Sequence, residues 1–336
     1  MSESGRESSP ATAVLLLNLG TPAAPTPSAV RRYLAQFLSD ARVIDYPRWL
    51  WWPILHGVIL RLRPRRSARA YAKIWTSQGS PLLVNTLALA KKLGADPAIV
   101  GLRVVAAMTY GEPAIPEAIR ALAKDGAQRI VVLPLFPQYS ATSTAAALDA
   151  VFAALRAERR VPEIRSIADY HADPDYIGAL AASVEKYWFT YGRGERLLLS
   201  FHGIPERYVA AGDPYRDQCL ATANLLRERL GIADNELAIT FQSRVGRERW
   251  LAPYTDATLA QFAQSGVRHV QVLCPGFAVD CLETLEEIAI RGREQFLAAG
   301  GERLDYIPAL NSSAAHVRML ANLIRRHTQG WNDAGT

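Results

Sequence analysis

Cysteine is scarce in this sequence, and a long apolar run is missing. Only three cysteines occur among 336 residues, Cys219, Cys274 and Cys281, and no two form a C-x-x-C pair. This argues against a disulfide framework and a four-thiolate metal cluster, so we expect a reducing, cytoplasmic setting. No run reaches the roughly 18 apolar residues that a spanning helix needs. Residues 1–12 are polar, unlike a signal peptide. The sequence therefore predicts a chain that is neither exported nor membrane-spanning, with residues 1–12 as a disordered tail.

Several common catalytic motifs are also absent. The sequence has no G-x-G-x-x-G after a strand, no G-x-x-x-x-G-K-[ST], no H-E-x-x-H and no G-x-S-x-G. Dinucleotide binding, ATP hydrolysis, zincin chemistry and a hydrolase nucleophile elbow therefore lack their usual signals. No basic stripe carries interleaved aromatic residues in the pattern of a nucleic-acid interface, so we expect no nucleic-acid partner. Lys+Arg 38 against Asp+Glu 32 gives a net charge of +6. That excess is largely local, since residues 61–69 hold five arginines: Arg61, Arg63, Arg65, Arg66 and Arg69.

Short runs rich in Val, Leu and Ile alternate with amphipathic stretches along the chain. This alternation predicts an α/β fold with parallel sheets covered by helices on both faces. Hydrophobic residues make up 49% and charged residues 21%, as in folded globular proteins. We expect strands at 14–18, 103–108, 129–134, 196–201, 237–242 and 269–274. We expect helices at 29–38, 116–124, 145–155, 175–187, 215–230, 285–298 and 315–327.

An internal repeat indicates two similar halves. LLLNLGTP from Leu15 resembles LLLSFHGIP from Leu197, an offset of 197−15 = 182. GAQRIVVLP from Gly126 resembles GVRHVQVLCP from Gly266, an offset of 266−126 = 140. The alternative is that any two buried strands look alike. If the repeat is real, the halves cover residues 13–177 and 178–310, with an insertion at about residues 41–80 of the first half. A C-terminal helix at 311–330 then packs back on the first half.

The predicted insertion contains the segment YPRWLWWPILHGVILRLRPRR. Trp49, Trp51 and Trp52 stand beside an apolar run that leads into the arginine cluster. Aromatic and cationic side chains on an apolar surface suit an anionic bilayer interface, or the rim of a pocket for a large, apolar, anionic ligand. A core helix with a solvated arginine tail is the alternative.

Candidate chemical groups follow the predicted strands, at the edge where open α/β sheets bind ligands. His202 follows one strand in SFHGIPERY; Asp280, Glu283 and Glu287 follow another in PGFAVDCLETLEEI. Their spacing of i, i+3 and i+7 predicts one acidic stripe on a helix. A histidine with carboxylates suits a divalent first-row metal such as Fe²⁺, and imidazole takes up protons near pH 7. A structural histidine and a helix-capping role for the acids remain alternatives, and Cys281, off the stripe, suits packing.

The motifs together resemble the ferrochelatase family, of the proteobacterial type. LLLNLGTP, FPQYSATST, SFHGIPERYVAAGDPY, FQSRVGRERWLAPYT and PGFAVDCLETLEEI occur in the family's order between about residues 14 and 290. The resemblance implies two Rossmann-like, chelatase-type halves facing a porphyrin cleft. It implies insertion of Fe²⁺ into protoporphyrin IX to give protoheme, the final step of heme biosynthesis, without ATP. Fe²⁺ is then a substrate, and no permanent cofactor is expected.

The resemblance also implies roles for individual residues. The family's essential histidine falls on His202 and its essential glutamate on Glu283, both catalytic and metal-contacting. Asp280 and Glu287 continue an acidic path for metal or protons, and this helix includes a π-type turn. By the same resemblance Leu19 faces the macrocycle centre from the opposite side, while Tyr110, Tyr139 and Tyr170 line the porphyrin slot. Propionate anchoring needs cations or hydroxyls at the slot mouth, for which Arg31, Arg32 and Ser80 are candidates.

Two features depart from the family's pattern. Many relatives have histidine where this chain has Cys281, which makes a ligand role there doubtful. No cysteine follows Cys281, so no [2Fe–2S] cluster is expected. Residues 49–66 are expected to touch the inner face of a membrane or an upstream enzyme and collect porphyrin there. A cobalt or nickel chelatase acting on another tetrapyrrole, and a non-catalytic tetrapyrrole or iron carrier, are the alternatives.

Overall fold

Two four-stranded parallel sheets form the centre of the protein, as a computed structural model shows for residues 11–246 and 248–331. The first sheet has the order β2-β1-β3-β4, with β1 (Thr12–Gly20), β2 (Arg103–Tyr110), β3 (Arg129–Pro134) and β4 (Glu163–Ser166). The second has the order β6-β5-β7-β8, with β5 (Arg196–His202), β6 (Leu237–Gln242), β7 (His269–Leu273) and β8 (Arg303–Ile307). Thr12 of the predicted tail belongs to β1, and residues 1–10 lie outside the described residues.

Helices flank both sheets, which confirms the predicted architecture. The α-helices are α1 (Pro27–Ser39), α2 (Arg48–Ile54), α3 (Leu60–Ile74), α4 (Pro81–Gly94), α5 (Ile115–Lys124), α6 (Ala146–Leu155), α7 (Pro174–Tyr191), α8 (Glu206–Ala210), α9 (Tyr215–Leu230), α10 (Thr255–Gln264), α11 (Arg293–Ala298) and α12 (Ala314–His327). Three segments of the described residues are π-helical, Leu55–Ile59, Ala141–Ala145 and Glu283–Gly292. Capping residues determine where a helix begins. At the start of α1, Thr26 accepts a hydrogen bond from the Ala29 amide, and Pro27 occupies the first turn.

Two strands escaped prediction, and both lie at sheet edges. β4 reads EIRS and has no fully buried residue, and β8 reads RLDYI. An edge strand has a neighbour on one side only, so it can keep polar side chains and lacks the continuous apolar run of a central parallel strand. The other two edge strands, β2 (RVVAAMTY) and β6 (LAITFQ), keep apolar runs and were predicted, so the polar sequences of β4 and β8 explain why these two were missed.

The internal repeat extends well beyond the two sequence echoes. The offset of 140 residues recurs between the first residues of α5 and α10 (255−115), β3 and β7 (269−129), β4 and β8 (303−163), and α7 and α12 (314−174). The paired strands also occupy the same positions in their sheets. In the first half, α2 and α3 fall inside the predicted insertion at residues 41–80.

The last helix of each half packs on the other half. α7 packs against α9 and β8 of the second half, whereas α12 packs against α4 of the first. One hydrophobic core includes residues of both sheets, such as Leu16 and Leu199. The predicted boundary between residues 177 and 178 falls inside the continuous helix α7, because the chain passes from one sheet to the other through this helix. We therefore propose that the first half ends after Tyr191.

Candidate functional site

His202 is the last residue of β5, at the carboxyl end of the second sheet. Its Nδ1 lies 2.6 Å from the carbonyl oxygen of Gly203. A carbonyl oxygen can only accept, so Nδ1 must carry a hydrogen, and the neutral form of the ring has its lone pair on Nε2. Among the described residues no hydrogen bond engages Nε2. The ring is half-buried, with the Phe277 ring centroid 6.4 Å away. The bond to Gly203 holds the ring through Nδ1 and leaves Nε2 as the nitrogen that is available for a proton or a metal.

Glu283 begins the π-helix Glu283–Gly292, so the expected π-type turn is present. Such wide turns are rare and frequently mark functional sites. The Gln242 side chain, at the end of β6, donates to the main-chain oxygen of Glu283 over 2.9 Å, and Gln242 pairs with His202 in the sheet register. His202 and Glu283 therefore lie on adjoining segments at the same edge of the second sheet.

Two tyrosines of the first half approach Glu283, and sequence reasoning missed both. Burial raises the pKa of Tyr33, on α1, and the charge of Glu283 raises it further. Burial also raises the pKa of Tyr71, on α3, with added contributions from Tyr33 and Glu283. α3 packs directly against the π-helix. Both phenols therefore stay protonated beside the carboxylate, and the site lies where the two halves meet.

Cys281 is buried close to Glu283. Burial raises the pKa of the Cys281 thiol, and the charge and hydrogen bond of Glu283 raise it further. The metal-binding form of cysteine is the thiolate, so this environment disfavours a ligand role and makes Cys281 a donor to the glutamate. All three cysteines are buried and unpaired, as expected for a chain without a disulfide framework.

Asp280 does not join an acidic stripe with Glu283. One carboxylate oxygen accepts from the Tyr306 hydroxyl at 2.6 Å and from Thr284 at 3.2 Å. The other accepts from the Asn311 amide at 2.6 Å. The side chain is buried, and these donors occupy the positions that a passing metal ion would need. The predicted stripe assumed a helix through residue 280, but the helix begins only after Cys281. The contacts give Asp280 a structural role in fixing the start of the π-helix.

Glu287 lies on the side of the π-helix that faces the loop after β6. Its carboxylate accepts from the Ser243 amide at 2.9 Å and the Ser243 hydroxyl at 2.5 Å. Arg291 lies 3.7 Å from Glu287 and 3.6 Å from Glu286, and Lys73 pairs with Glu286 at 3.2 Å. A cavity of about 130 Å³ adjoins Ser243, Glu287 and Arg291. Cations thus offset the negative charge at this end of the predicted acidic path.

Four of the predicted porphyrin residues, Leu19, Arg31, Arg32 and Ser80, lie in the first half before β2. Leu19 is half-buried at the end of β1, and the buried Ser80 hydroxyl lies 2.8 Å from that of Thr21. Thr21 is one of the groups that act on the Tyr71 hydroxyl, so Leu19, Thr21 and Ser80 lie near the tyrosines beside Glu283. Arg31 and Arg32 are exposed on α1, and within the described part of the chain neither has an ion-pair partner.

The three predicted slot tyrosines have different surroundings. Tyr139 is half-buried after β3, and its amide donates to Gln218. Tyr110 is buried and donates its hydroxyl to Asp40 at 2.7 Å. Tyr170 lies in the core shared by the two sheets. The side chains of Tyr110 and Tyr170 therefore do not reach an open surface, because both are packed into the interior.

His316 is a buried histidine whose titration should be visible in stability. Its Nδ1 lies 2.5 Å from the Asn311 carbonyl oxygen, and its Nε2 has no partner among the described residues. Burial lowers the pKa of His316 to about 4. The unfolded chain, with a histidine pKa of about 6.5, therefore takes up a proton that the folded chain cannot, and stability falls as the pH drops from 6.5 towards 4.

We expect His316 to remove about 2 kcal/mol from the free energy of unfolding between pH 7 and pH 5. His316→Gln keeps a donor for Asn311 without the titration, so its stability should depend less on pH over that interval. Urea unfolding at both pH values measures this, with the exposed His56→Gln as control. Equal pH dependence in wild type and His316→Gln would contradict the assignment.

Known proteins match this chain along nearly its whole length. A sequence model of the ferrochelatase family matches residues 11–328. The chain belongs to the ferrochelatase family. The ferrochelatase of Nitrosococcus oceani is 54% identical over 323 residues, 96% of this chain and 88% of the relative. That of Aeromonas hydrophila subsp. hydrophila is 52% identical over 319 residues, 94% of this chain and 98% of the relative. The curated relatives are mostly proteobacterial, which confirms the resemblance in the motifs.

Solved structures of chelatases share the fold. SirB from Bacillus subtilis with Fe³⁺ superposes with a TM-score of 0.56 at 13% identity, covering 94% of this chain and 95% of that one. The sirohydrochlorin chelatase SirB from Bacillus subtilis subspecies spizizenii, in complex with cobalt, gives 0.57 at 14% identity, covering 97% and 98%. These likenesses show the chelatase-type architecture alone.

The predicted activity is confirmed with the family. The chain is a ferrochelatase-family enzyme that inserts Fe²⁺ into protoporphyrin IX to form protoheme. Iron is a substrate of this reaction. Among residues 11–246 and 248–331, no group of three or more His, Cys, Asp or Glu side chains is arranged to hold a metal ion.

Proposed function

We propose that His202 accepts the pyrrole protons of protoporphyrin IX and that Glu283 contacts the incoming Fe²⁺. The supporting observation is the bond from His202 Nδ1 to the Gly203 carbonyl oxygen, which leaves Nε2 as the nitrogen available to accept a proton. The free nitrogen of an imidazole can take up a proton and later release it to solvent.

Metallation exchanges two pyrrole N–H protons for one Fe²⁺, so the porphyrin core stays neutral and the reaction needs no external energy source. The barrier arises because a planar porphyrin points its nitrogen lone pairs into a hole that the protons already occupy. Binding energy from the apolar faces and the propionates can be diverted into buckling the ring, by roughly 1–5 kcal/mol. That distortion speeds the reaction only if the transition state gains more than the bound substrate does.

Glu283 supplies the negative charge near the point of metal entry. The negative charge of Glu283 raises the pKa of Tyr33, Tyr71 and Cys281 beyond the rise that burial causes, so these side chains near the carboxylate stay protonated. One carboxylate with one imidazole forms a loose ligand set. Since divalent affinity at such sites rises towards Cu²⁺, we expect Zn²⁺ and Co²⁺ to be inserted as well.

The porphyrin is proposed to lie beside Leu19 and Tyr139, with its propionates near the exposed Arg31 and Arg32. Both arginines lack partners within the described part of the chain, so their guanidinium groups can form bidentate bonds to carboxylates. The Ser80 hydroxyl bonds that of Thr21, which lies two residues after Leu19. We propose that no resident cofactor takes part.

The insertion is proposed to contact an anionic membrane surface through residues 49–66. Its helices expose large apolar side chains, Trp49 at 79%, Trp52 at 50% and Leu62 at 69% exposure, in the segment that leads into the arginine cluster. Trp51 faces inward and donates to the Leu38 carbonyl oxygen. No helix of the described residues is long and apolar enough to cross a membrane. Cationic and aromatic side chains on one exposed face suit the interface of an anionic bilayer.

Vesicle sedimentation tests this contact. We expect wild-type protein to co-sediment with phosphatidylglycerol vesicles more than with phosphatidylcholine vesicles, and the variant Trp49→Ser, Trp52→Ser, Leu62→Ser to lose most of that binding. Val100→Ser with Phe189→Ser removes comparably exposed apolar side chains elsewhere and serves as control. Unchanged binding of the triple variant would contradict the proposal; contact with a partner enzyme would then be the alternative to test.

The proposed chemistry is tested by anaerobic mixing of purified protein with protoporphyrin IX and Fe²⁺, or Zn²⁺ as a surrogate. We expect the emission bands of the metal-free porphyrin to disappear, with a shift of the Soret band, much faster than without protein. A carrier would bind the porphyrin without accelerating metallation. Absence of acceleration over the protein-free mixture would refute the catalytic role of His202 and Glu283.

A further inference from the structure

Gln242, the last residue of β6, contacts the segments of both proposed catalytic residues. It is buried, and it lies opposite His202 in the β5–β6 register. Its main-chain oxygen accepts from the Gly203 amide at 2.8 Å, directly after His202. Its side-chain Nε2 donates to the Glu283 main-chain oxygen at 2.9 Å. One residue thus links the strand of His202 to the first residue of the π-helix.

The orientation of the Gln242 amide is fixed by its partners. Glu283 offers a carbonyl oxygen, which can only accept, so Nε2 must face it. Oε1 then accepts from the Ser200 hydroxyl at 2.6 Å. Ser200 lies two residues before His202 on β5 and is itself fully buried. Both ends of the amide are therefore held, one by the strand of His202 and the other by the helix of Glu283.

The next residue makes a second connection to the same helix. Ser243 donates through its amide and its hydroxyl to the carboxylate of Glu287, four residues beyond Glu283. Gln242 and Ser243 together hold the π-helix against the end of β6 at two points. The main-chain position of Glu283 decides where its carboxylate lies, so this connection sets its place relative to the His202 imidazole.

We propose that Gln242 is a positioning residue for metallation, whose amide keeps the Glu283 main chain in register with the strand that carries His202. This inference rests on the proposed roles of His202 and Glu283. Gln242 need not touch porphyrin or iron; it acts by holding a reacting group in place. A small displacement of such a group lowers the rate of the chemical step more than it lowers substrate binding.

The first test is Gln242→Leu, which is similar in size and cannot donate. We expect kcat for Zn²⁺ insertion to fall by roughly tenfold or more, with the KM for porphyrin within roughly threefold of wild type. The split between kcat and KM separates lost positioning from lost binding.

Gln271→Leu is the matched control. Gln271 is also a buried glutamine of the second sheet, and it accepts from Trp188 at 2.6 Å and donates to the Gly192 carbonyl oxygen at 2.9 Å. It lies in β7, away from the His202 edge, so its loss should lower the melting temperature about as much as Gln242→Leu while leaving kcat near wild type.

Gln242→Glu adds a readout that a purely structural residue would not change. Only the protonated carboxyl can donate to the Glu283 carbonyl oxygen, and burial raises the pKa of a carboxyl group. We therefore expect the kcat of this variant, relative to wild type, to fall by roughly tenfold as the pH rises through that new ionisation. Ser200→Ala is a milder change that removes the hydroxyl donor to Gln242 Oε1, and it should also lower kcat. If Gln242→Leu does not fold, the pH profile of Gln242→Glu and the kcat of Ser200→Ala still test the positioning role.

The outcomes separate this inference from the proposed function. Inactive wild-type protein in the same assay would refute the proposed function. Active wild type with unchanged kcat in Gln242→Leu, or with equal losses in Gln242→Leu and Gln271→Leu, would refute the positioning role alone. A flat pH ratio for Gln242→Glu would also count against it.

Discussion

His202→Ala is expected to lose metallation almost completely while still binding porphyrin. Removing a general base that takes up protons in the transition state costs roughly 10²–10⁴-fold in rate. Porphyrin affinity should change little, because most of the binding energy of a large flat ligand comes from its apolar faces. The measurement is kcat for Zn²⁺ insertion together with a porphyrin fluorescence titration.

The control is His269→Ala, at the start of β7. His269 pairs with Asp305 at 2.8 Å at the opposite end of the same sheet, so its loss removes an imidazole without touching the site. Near-normal metallation by His202→Ala, or an equal loss of metallation in His269→Ala, would show that His202 is not the proton acceptor.

Glu283→Gln is expected to give the second large effect. The amide keeps the size of the carboxylate but loses its charge, so contact with Fe²⁺ weakens and we expect kcat/KM for the metal to fall by roughly 10²-fold or more. The same charge raises the pKa of the Cys281 thiol, so the substitution should lower that pKa and speed thiol modification at high pH.

Glu294→Gln, an exposed carboxylate on α11, is the matched control for the lost charge. Metal dependence and thiol reactivity are measured on the same preparations. If Glu283→Gln retained wild-type metal dependence while Cys281 became more reactive, the glutamate would be near the thiol without contacting the metal.

The sequence predicted that His202 and Glu283 lie close together, because their positions follow from topology. Parallel strands end at one edge of a sheet, so His202 and Glu283, each just beyond an apolar strand, were expected to be neighbours. The central strands were equally visible, since residues buried on both faces must be apolar. The 140-residue echo at Gly126 and Gly266 proved to extend over whole elements of both halves.

Contacts between distant segments were not predictable in the same way. Asp280 has the spacing of an acidic stripe, yet Tyr306 and Asn311, from a later strand and loop, occupy its carboxylate. Tyr33 lies near Glu283 only because the first half packs on the second. Gln242 stood in a recognised motif, but nothing in its residue type indicates that its amide joins two main chains.

In the insertion, too, the sequence analysis did not predict which aromatic side chains are buried. Three tryptophans within four residues read as one aromatic cluster, but the helix turns Trp51 inward to Leu38 and leaves Trp49 and Trp52 outside. Helical periodicity could have separated them. Helical periodicity does not predict the contact between the insertion and the second half, in which Tyr208 donates to the Val43 carbonyl oxygen at 3.1 Å.

The claim that His202 and Glu283 serve one chemical step is tested most directly by a double-variant cycle. We measure kcat for Zn²⁺ insertion in wild type, His202→Ala, Glu283→Gln and the variant that carries both changes. Residues that act as a unit give non-additive losses, so the double variant should be about as slow as the slower single variant. If the two losses multiplied in full, His202 and Glu283 would serve independent steps, which would contradict a shared role in metallation.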